Sequence, residues 1–129
     1  MQNRVFLTGK LLPEELPSVL KHARAGLNLL RDEGLSYRYS LANKFFDYVH
    51  AGIPQICIDF PEYKGLMQEY GVGLICSLEP ASIHSALDAM KDPLLQENFR
   101  KEALKARLQW NWQKEEITLL ELYRRMFAK

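Results

Sequence analysis

Residues 40 to 54 read Ser40-Leu41-Ala42-Asn43-Lys44-Phe45-Phe46-Asp47-Tyr48-Val49-His50-Ala51-Gly52-Ile53-Pro54. A hydroxyl residue followed by an amphipathic run predicts a helix from about 41 to 51, with Ser40 as its N-cap. Lys44 and Asp47 stand one turn apart on that helix, so they share a side of it. The helix ends at Ala51-Gly52, and Ile53-Pro54 leads into Gln55-Ile56-Cys57-Ile58-Asp59, which reads as a buried strand. A helix that feeds directly into an apolar strand is half of a parallel crossover unit. Its free N-terminal amides face the sheet edge and, with a fixed ammonium nearby, suit an anion.

The same grammar extends in both directions. Residues 4 to 8, 27 to 30 and 72 to 76 are short, near-continuous apolar runs bounded by glycine, and each predicts a strand. Residues 16 to 25, 61 to 70, 80 to 90, 93 to 107 and 112 to 127 have helical spacing. Pro17 fits a first helical turn and Gly71 a helix end. Residues 31 to 39 are polar and glycine-containing and predict a loop. Four strands alternating with helices, the strands apolar on both faces, give an α/β layered fold with a parallel sheet. Ile117, Leu120, Tyr123 and Phe127 form the apolar stripe of the last helix.

Composition narrows the function classes. The 129 residues fit one domain, 47% of them are hydrophobic, and 17 basic residues against 16 acidic leave a net charge of +1. That balance exerts no general pull on nucleic acid, so no nucleic-acid partner is expected. Cys57 and Cys76 both sit in apolar runs and are expected reduced and buried. His22, His50 and His84 are far apart, with no metal-ligand spacing, so no metal and no cofactor is expected. No apolar run approaches a membrane span, and residues 1 to 9 are too short for a signal peptide. Thr8-Gly9-Lys10 after the first strand is neither a Walker loop nor a dinucleotide glycine turn. The chain is therefore expected to be the later part of a larger domain, or a fold that never carried such a turn.

Several other residues have plain structural readings. His50 is expected to bond the last carbonyls of its own helix. Asp59 and Glu62 read as turn and helix-start residues around Pro61. Trp110 and Trp112 read as packing residues, since no basic cluster accompanies them.

The order of these features resembles the second half of the donor-binding domain of group 1, retaining glycosyltransferases of the GT-B fold. Asn43-Lys44-Phe45-Phe46-Asp47-Tyr48 and Ala51-Gly52-Ile53-Pro54 resemble the family pattern Asn-Lys-Leu-Phe-Glu-Tyr, then Ala-Gly-x-Pro. Tyr70-Gly71-Val72-Gly73 resembles its Tyr-Gly-x-Gly turn. Trp112, followed by Leu119, Leu122 and Tyr123, resembles its closing tryptophan and helix. The resemblance implies a partial Rossmann-like domain over residues 1 to 129, with closing helices from about 93 to 129. It implies a nucleotide-sugar donor as substrate and transfer of the sugar to an acceptor hydroxyl in glycan biosynthesis. An N-terminal acceptor domain would belong to the parent chain, and the isolated piece would be inactive. Tyr39, Ser40, Leu41, Ala42, Asn43 and Lys44 map onto the loop and helix start that meet the diphosphate and sugar. Asp47 maps onto the ribose-binding glutamate, one methylene shorter. Gly9 and Lys10 map near the nucleobase. No catalytic residue can be assigned. The family's second glutamate, eight residues before the first, is Tyr39 here. The setting implied is cytoplasmic, or the inner face of a membrane by way of the parent enzyme.

Two rivals follow from the same residues. One is a GT-B sugar-nucleotide epimerase with a similar donor site. The other is a non-catalytic α/β binding module. In a sheet ordered 3-2-1-4-5-6 the first and second strands read here would not be neighbours. Residues 5 to 8 are therefore expected either to pair directly beside residues 27 to 30 or to pair with another molecule, self-association through an exposed sheet edge.

Overall fold

The computed structural model describes residues 4–128. Elements follow in the order α1 Leu16–Leu20, β1 Gly26–Asn28, α2 Leu35–Arg38, α3 Asn43–Ala51, β2 Gln55–Ile58, α4 Pro61–Glu69, β3 Gly73–Cys76, α5 Pro80–Ala89, α6 Pro93–Ala106 and α7 Trp112–Phe127. The three strands form one parallel sheet in the order β1-β2-β3. Leu27 sits beside Ile56, and Ile56 beside Leu74. The fold is thus α/β with a three-stranded parallel sheet flanked by helices, compatible with part of a Rossmann-like domain.

The core lies on both faces of β2, whose four residues are all buried. On one face Cys57 packs with Phe45 and Val49 of α3, Tyr63 of α4 and Ala103 and Ala106 of α6. On the other, Ile56 and Cys76 pack with Ala86 and Met90 around α5. Two-sided burial explains why these strands read as continuous apolar runs rather than alternating ones. α3 ends as its sequence predicts. Gly52 takes φ 68°, its N–H donates to the Val49 carbonyl, and the Ile53 N–H donates to the Tyr48 carbonyl at 3.0 Å.

Two glycines are fixed by close approach. A Cβ on Gly73 would lie 1.8 Å from the Gln55 carbonyl oxygen, and one on Gly26 would lie 2.5 Å from the Tyr48 ring. The first obstacle is backbone of the central strand and cannot rotate away. The second is a side chain that can shift only by leaving its place over β1.

The sheet has three strands where four were expected. Residues 5 to 8 form no strand and do not pair beside β1; Val5, Phe6 and Leu7 are 72, 82 and 95% exposed. No layer of the described residues buries this apolar run, and α1, the next element, packs on α3. The expected helix over 16 to 25 stops at Leu20, as the chain turns back toward β1. The expected loop over 31 to 39 contains the single-turn helix α2. α3 starts at Asn43, and its N-cap is Ala42 rather than Ser40. The Ser40 hydroxyl instead donates to the Tyr37 carbonyl at 3.2 Å, closing the end of α2. α4 ends at an extended Tyr70, before Gly71, and Gly71 supplies no positive φ.

Both cysteines are free and buried. The Cys57 thiol, ordinarily near 9.0, is pushed up to about 12. Burial raises it most; the neighbouring Asn28 side chain opposes this, Cys76 adds to it, and the Lys44 ammonium lowers it slightly. Burial likewise raises the Cys76 thiol and the Tyr48 phenol. All three groups are neutral acids when folded, and unfolding makes them easier to ionise. For Cys57 that contribution is complete below pH of about 9 and disappears as pH climbs toward about 12; Cys76 and Tyr48 act in the same direction.

Two outcomes are expected. Gly73→Ala destabilises the domain by about 3 kcal/mol or more, measured by urea unfolding, because β2 and β3 cannot keep their register. Wild-type stability falls above about pH 9, by up to about 1.4 kcal/mol per pH unit from the buried Cys57 thiol. Cys57→Ala makes that alkaline limb shallower in the same measurement.

Candidate functional site

α3 links two parallel neighbours, so it runs antiparallel to the strands and begins at their C-terminal ends. Ligands of open α/β sheets bind on that side. The N-terminus of α3 has no side-chain cap. Among the described residues the amides of Asn43 and Lys44 donate to no acceptor, whereas the Phe45 amide is satisfied by the Ala42 carbonyl at 2.9 Å. Open amides at a helix start carry partial positive charge, and an anion can complete them.

α3 is tied from three directions. The buried Tyr63 hydroxyl accepts from the Ala42 N–H at 3.1 Å. The buried Gln55 amide donates to the Phe45 carbonyl at 3.2 Å, and the Cys57 thiol donates to the Gln55 side-chain oxygen at 3.4 Å. The Tyr48 hydroxyl donates to the Leu27 carbonyl at 3.4 Å. The sheet thereby holds α3 by polar contacts as well as by apolar packing.

Asn28, the last residue of β1, is fully buried, and neither its side-chain oxygen nor its nitrogen has a hydrogen-bond partner. It lies in register with Cys57, which packs against Phe45 and Val49 of α3. The Cys57 thiol senses it, but a thiol is a weak donor and a weak acceptor. A buried carboxamide without partners is costly.

The expected site residues are only partly gathered. Lys44 is half-buried and forms no ion pair among the described residues, and its charge reaches Cys57. Asp47 is half-buried and lines a hollow of about 170 Å³ with Pro13, Leu16, Pro17 and Leu20. Leu41 and Asn43 line a different and larger cavity of about 740 Å³ with Phe46, Leu66, Trp110 and Trp112. Neither of these two cavities holds both Lys44 and Asp47. Tyr39 is exposed at the end of α2, beside Ser40, and Ala42 is half-buried at the N-cap. Gly9 and Lys10 lie on the exposed segment before α1; Gly9 turns the chain with φ 70°.

His50 does not bond the carbonyls of its own helix; its Nε2 lies 2.8 Å from the Trp110 carbonyl oxygen. Trp110 packs edge-on against Tyr70 at 5.1 Å and against Phe46 at 6.4 Å, which makes it a packing residue. Trp112 is 62% exposed and is not one. Asp59 pairs with Lys64 across the start of α4, and Glu62 occupies its first turn. The residues that the sequence alone does not single out are Asn28, Gln55 and Tyr63. A polar residue inside an apolar strand was the available signal for the first two. Nothing local marks a tyrosine whose hydroxyl caps a helix 21 residues away.

Among the described residues no cluster of His, Cys, Asp or Glu could hold a metal ion, and no helix is long and apolar enough to cross a membrane. Comparison with protein-family models, with curated proteins and with solved structures returned no match.

Tyr63→Phe removes only the acceptor for the Ala42 amide. The expected cost is about 1 kcal/mol of stability in urea unfolding, with hydrogen exchange at the Ala42 amide faster than in the wild type.

Proposed function

We propose that this chain is the donor-binding part of a nucleotide-sugar-dependent glycosyltransferase, with the start of α3 receiving the diphosphate. The observation that carries the reading is the uncapped but firmly anchored N-terminus of α3 at the C-terminal end of a parallel sheet. The open amides of Asn43 and Lys44 would donate to phosphate oxygens, and the Lys44 ammonium, unpaired among the described residues, would add charge. Asp47, one turn further on, would accept hydroxyl hydrogens from a ribose. The resemblance of residues 43 to 54 to the GT-B donor motif supports the same assignment. In a transfer reaction, charge building on the departing diphosphate would be offset by the helix start and by Lys44. The acceptor would be supplied by a further domain, so the chain by itself would bind donor without turning it over.

Titration with UDP, GDP and ADP while following thermal unfolding tests this. One diphosphate is expected to stabilise by about 2.7 kcal/mol at a hundredfold excess over Kd. That raises Tm by roughly 10 °C in a domain of this size. Lys44→Ala is expected to weaken that binding about tenfold, the loss of one charge-assisted contact worth about 1.5 kcal/mol. Flat responses to all three nucleotides overturn the reading in favour of a non-catalytic module.

A further inference from the structure

The cavity of about 740 Å³ lies between one face of α3 and the first turn of α7. Asn43, Phe46 and His50 are spaced three and four residues apart, so they share the α3 side of it. Trp112 and Glu115 are three apart and share the α7 side. The turn between α6 and α7 joins the two walls. A carbonyl can only accept, so the His50 Nε2–H donates to the Trp110 oxygen at 2.8 Å. The Asn111 side chain accepts from the Lys114 N–H at 3.1 Å and donates to the Arg107 carbonyl at 3.0 Å, which pins the start of α7. The volume is that of a small-molecule site, for which about 300–1,000 Å³ is usual.

The lining selects the occupant. Five of the nine described residues that line the cavity are Leu, Phe or Trp, so a ligand that fits it is mostly apolar. Phe46 and Trp110 meet at 89° with ring centres 6.4 Å apart. Two aromatic walls at right angles leave a corner where a cation can lie within about 6 Å of both rings. Trp112, 62% exposed, brings a third ring to the same cavity. Among the described residues no Lys or Arg lines it. Glu115 supplies a carboxylate that forms no ion pair among the described residues. His50 stands in the last turn of α3, the carbonyl end, where the helix dipole also favours a cation. The open amide of Asn43, which favours an anion, is about 10 Å away along the helix. A polyhydroxylated ring would need a polar partner for each hydroxyl, and with both ends of the Asn111 amide already used this lining has too few.

We infer that this cavity binds an alkylammonium ligand. Its quaternary nitrogen is held against Phe46 and Trp110, with Trp112 and the Glu115 counter-charge across from it, and its apolar body lies along the leucines of the lining. The inference does not rest on the nucleotide-sugar reading. Asp47, the residue matched to a ribose, lines the other hollow, and the two kinds of binding are measured with different probes and fail separately.

The chain has two tryptophans and both line the cavity, so intrinsic fluorescence reports on it directly. Titration of the full chain with hexyltrimethylammonium is expected to shift the emission saturably, with a midpoint near or below about 1 mM, as suits a ligand of roughly ten heavy atoms. Choline, which lacks the hexyl chain, gives the same shift at about tenfold higher concentration. Neohexyl alcohol, the uncharged carbon isostere of choline, gives at most about one-tenth of choline's shift at equal concentration. Glu115→Gln raises the hexyltrimethylammonium dissociation constant about fivefold. Trp112→Leu raises it about tenfold, read through Trp110, and Trp112→Phe only about threefold. Both positions are exposed and outside the core, so circular dichroism stays unchanged. Absence of a saturable shift with hexyltrimethylammonium overturns the proposal. So do equal responses to choline and neohexyl alcohol, the mark of a cavity indifferent to charge. So does a Glu115→Gln chain that binds as tightly as wild type, which leaves Glu115 only the task of offsetting the amide ends in the first turn of α7.

Discussion

The enclosure of β2 is the constraint on which the structure depends. Its backbone is bonded to a parallel strand on each side, and its side chains are covered by α3, α4 and α6 on one face and α5 on the other. A strand in that position must bring no unsatisfied polar group inward. Gln55 meets the condition by spending its side chain on α3 and on the Cys57 thiol. The same contact decides where α3 lies. Gly73 is the other half of the condition, because only a residue without Cβ lets β3 approach the Gln55 carbonyl.

From that strand the candidate site follows as a consequence of how α3 is held. Gln55 grips its first turn from below, Tyr63 holds the residue before it, and Tyr48 ties its middle to β1. A helix so tethered can leave its leading amides open without fraying. Preorganised donors cost little reorganisation when an anion arrives. The buried Asn28 carboxamide, partnerless in the same neighbourhood, is a second departure from complete satisfaction. Such departures concentrate where a protein works rather than where it merely packs.

The apolar residues are divided unevenly. One set centred on β2 makes the core, while another set of bulky side chains, on α7 and residues 5 to 7, faces solvent. The two groups look alike in composition. They differ in what lies opposite them, which for the second group is nothing within the described residues.

Periodicity and end signals in the sequence determined the helices from α3 to α7, the strands β1 to β3 and the turn at Gly52, because those signals are local: helical spacing, prolines at helix starts, a glycine at φ 68°. The motif at residues 43 to 54 was likewise visible as a helix leading to a buried strand. Tertiary structure alone decided the rest. Val5 to Leu7 have the composition of a strand, yet a strand exists only through its neighbours, and none reaches them. Ser40 has the chemistry of an N-cap, yet the Tyr37 carbonyl claims its hydroxyl and α3 begins three residues later. Lys44 and Asp47 share a helix face by spacing, but the approach of α1 gives Asp47 a hollow of its own. Tyr63 reaches Ala42 only because the core packs its ring against Phe45 of α3. In each case a short-range preference was outweighed by a contact between residues distant in the chain, and such contacts are set by which surfaces the fold presses together.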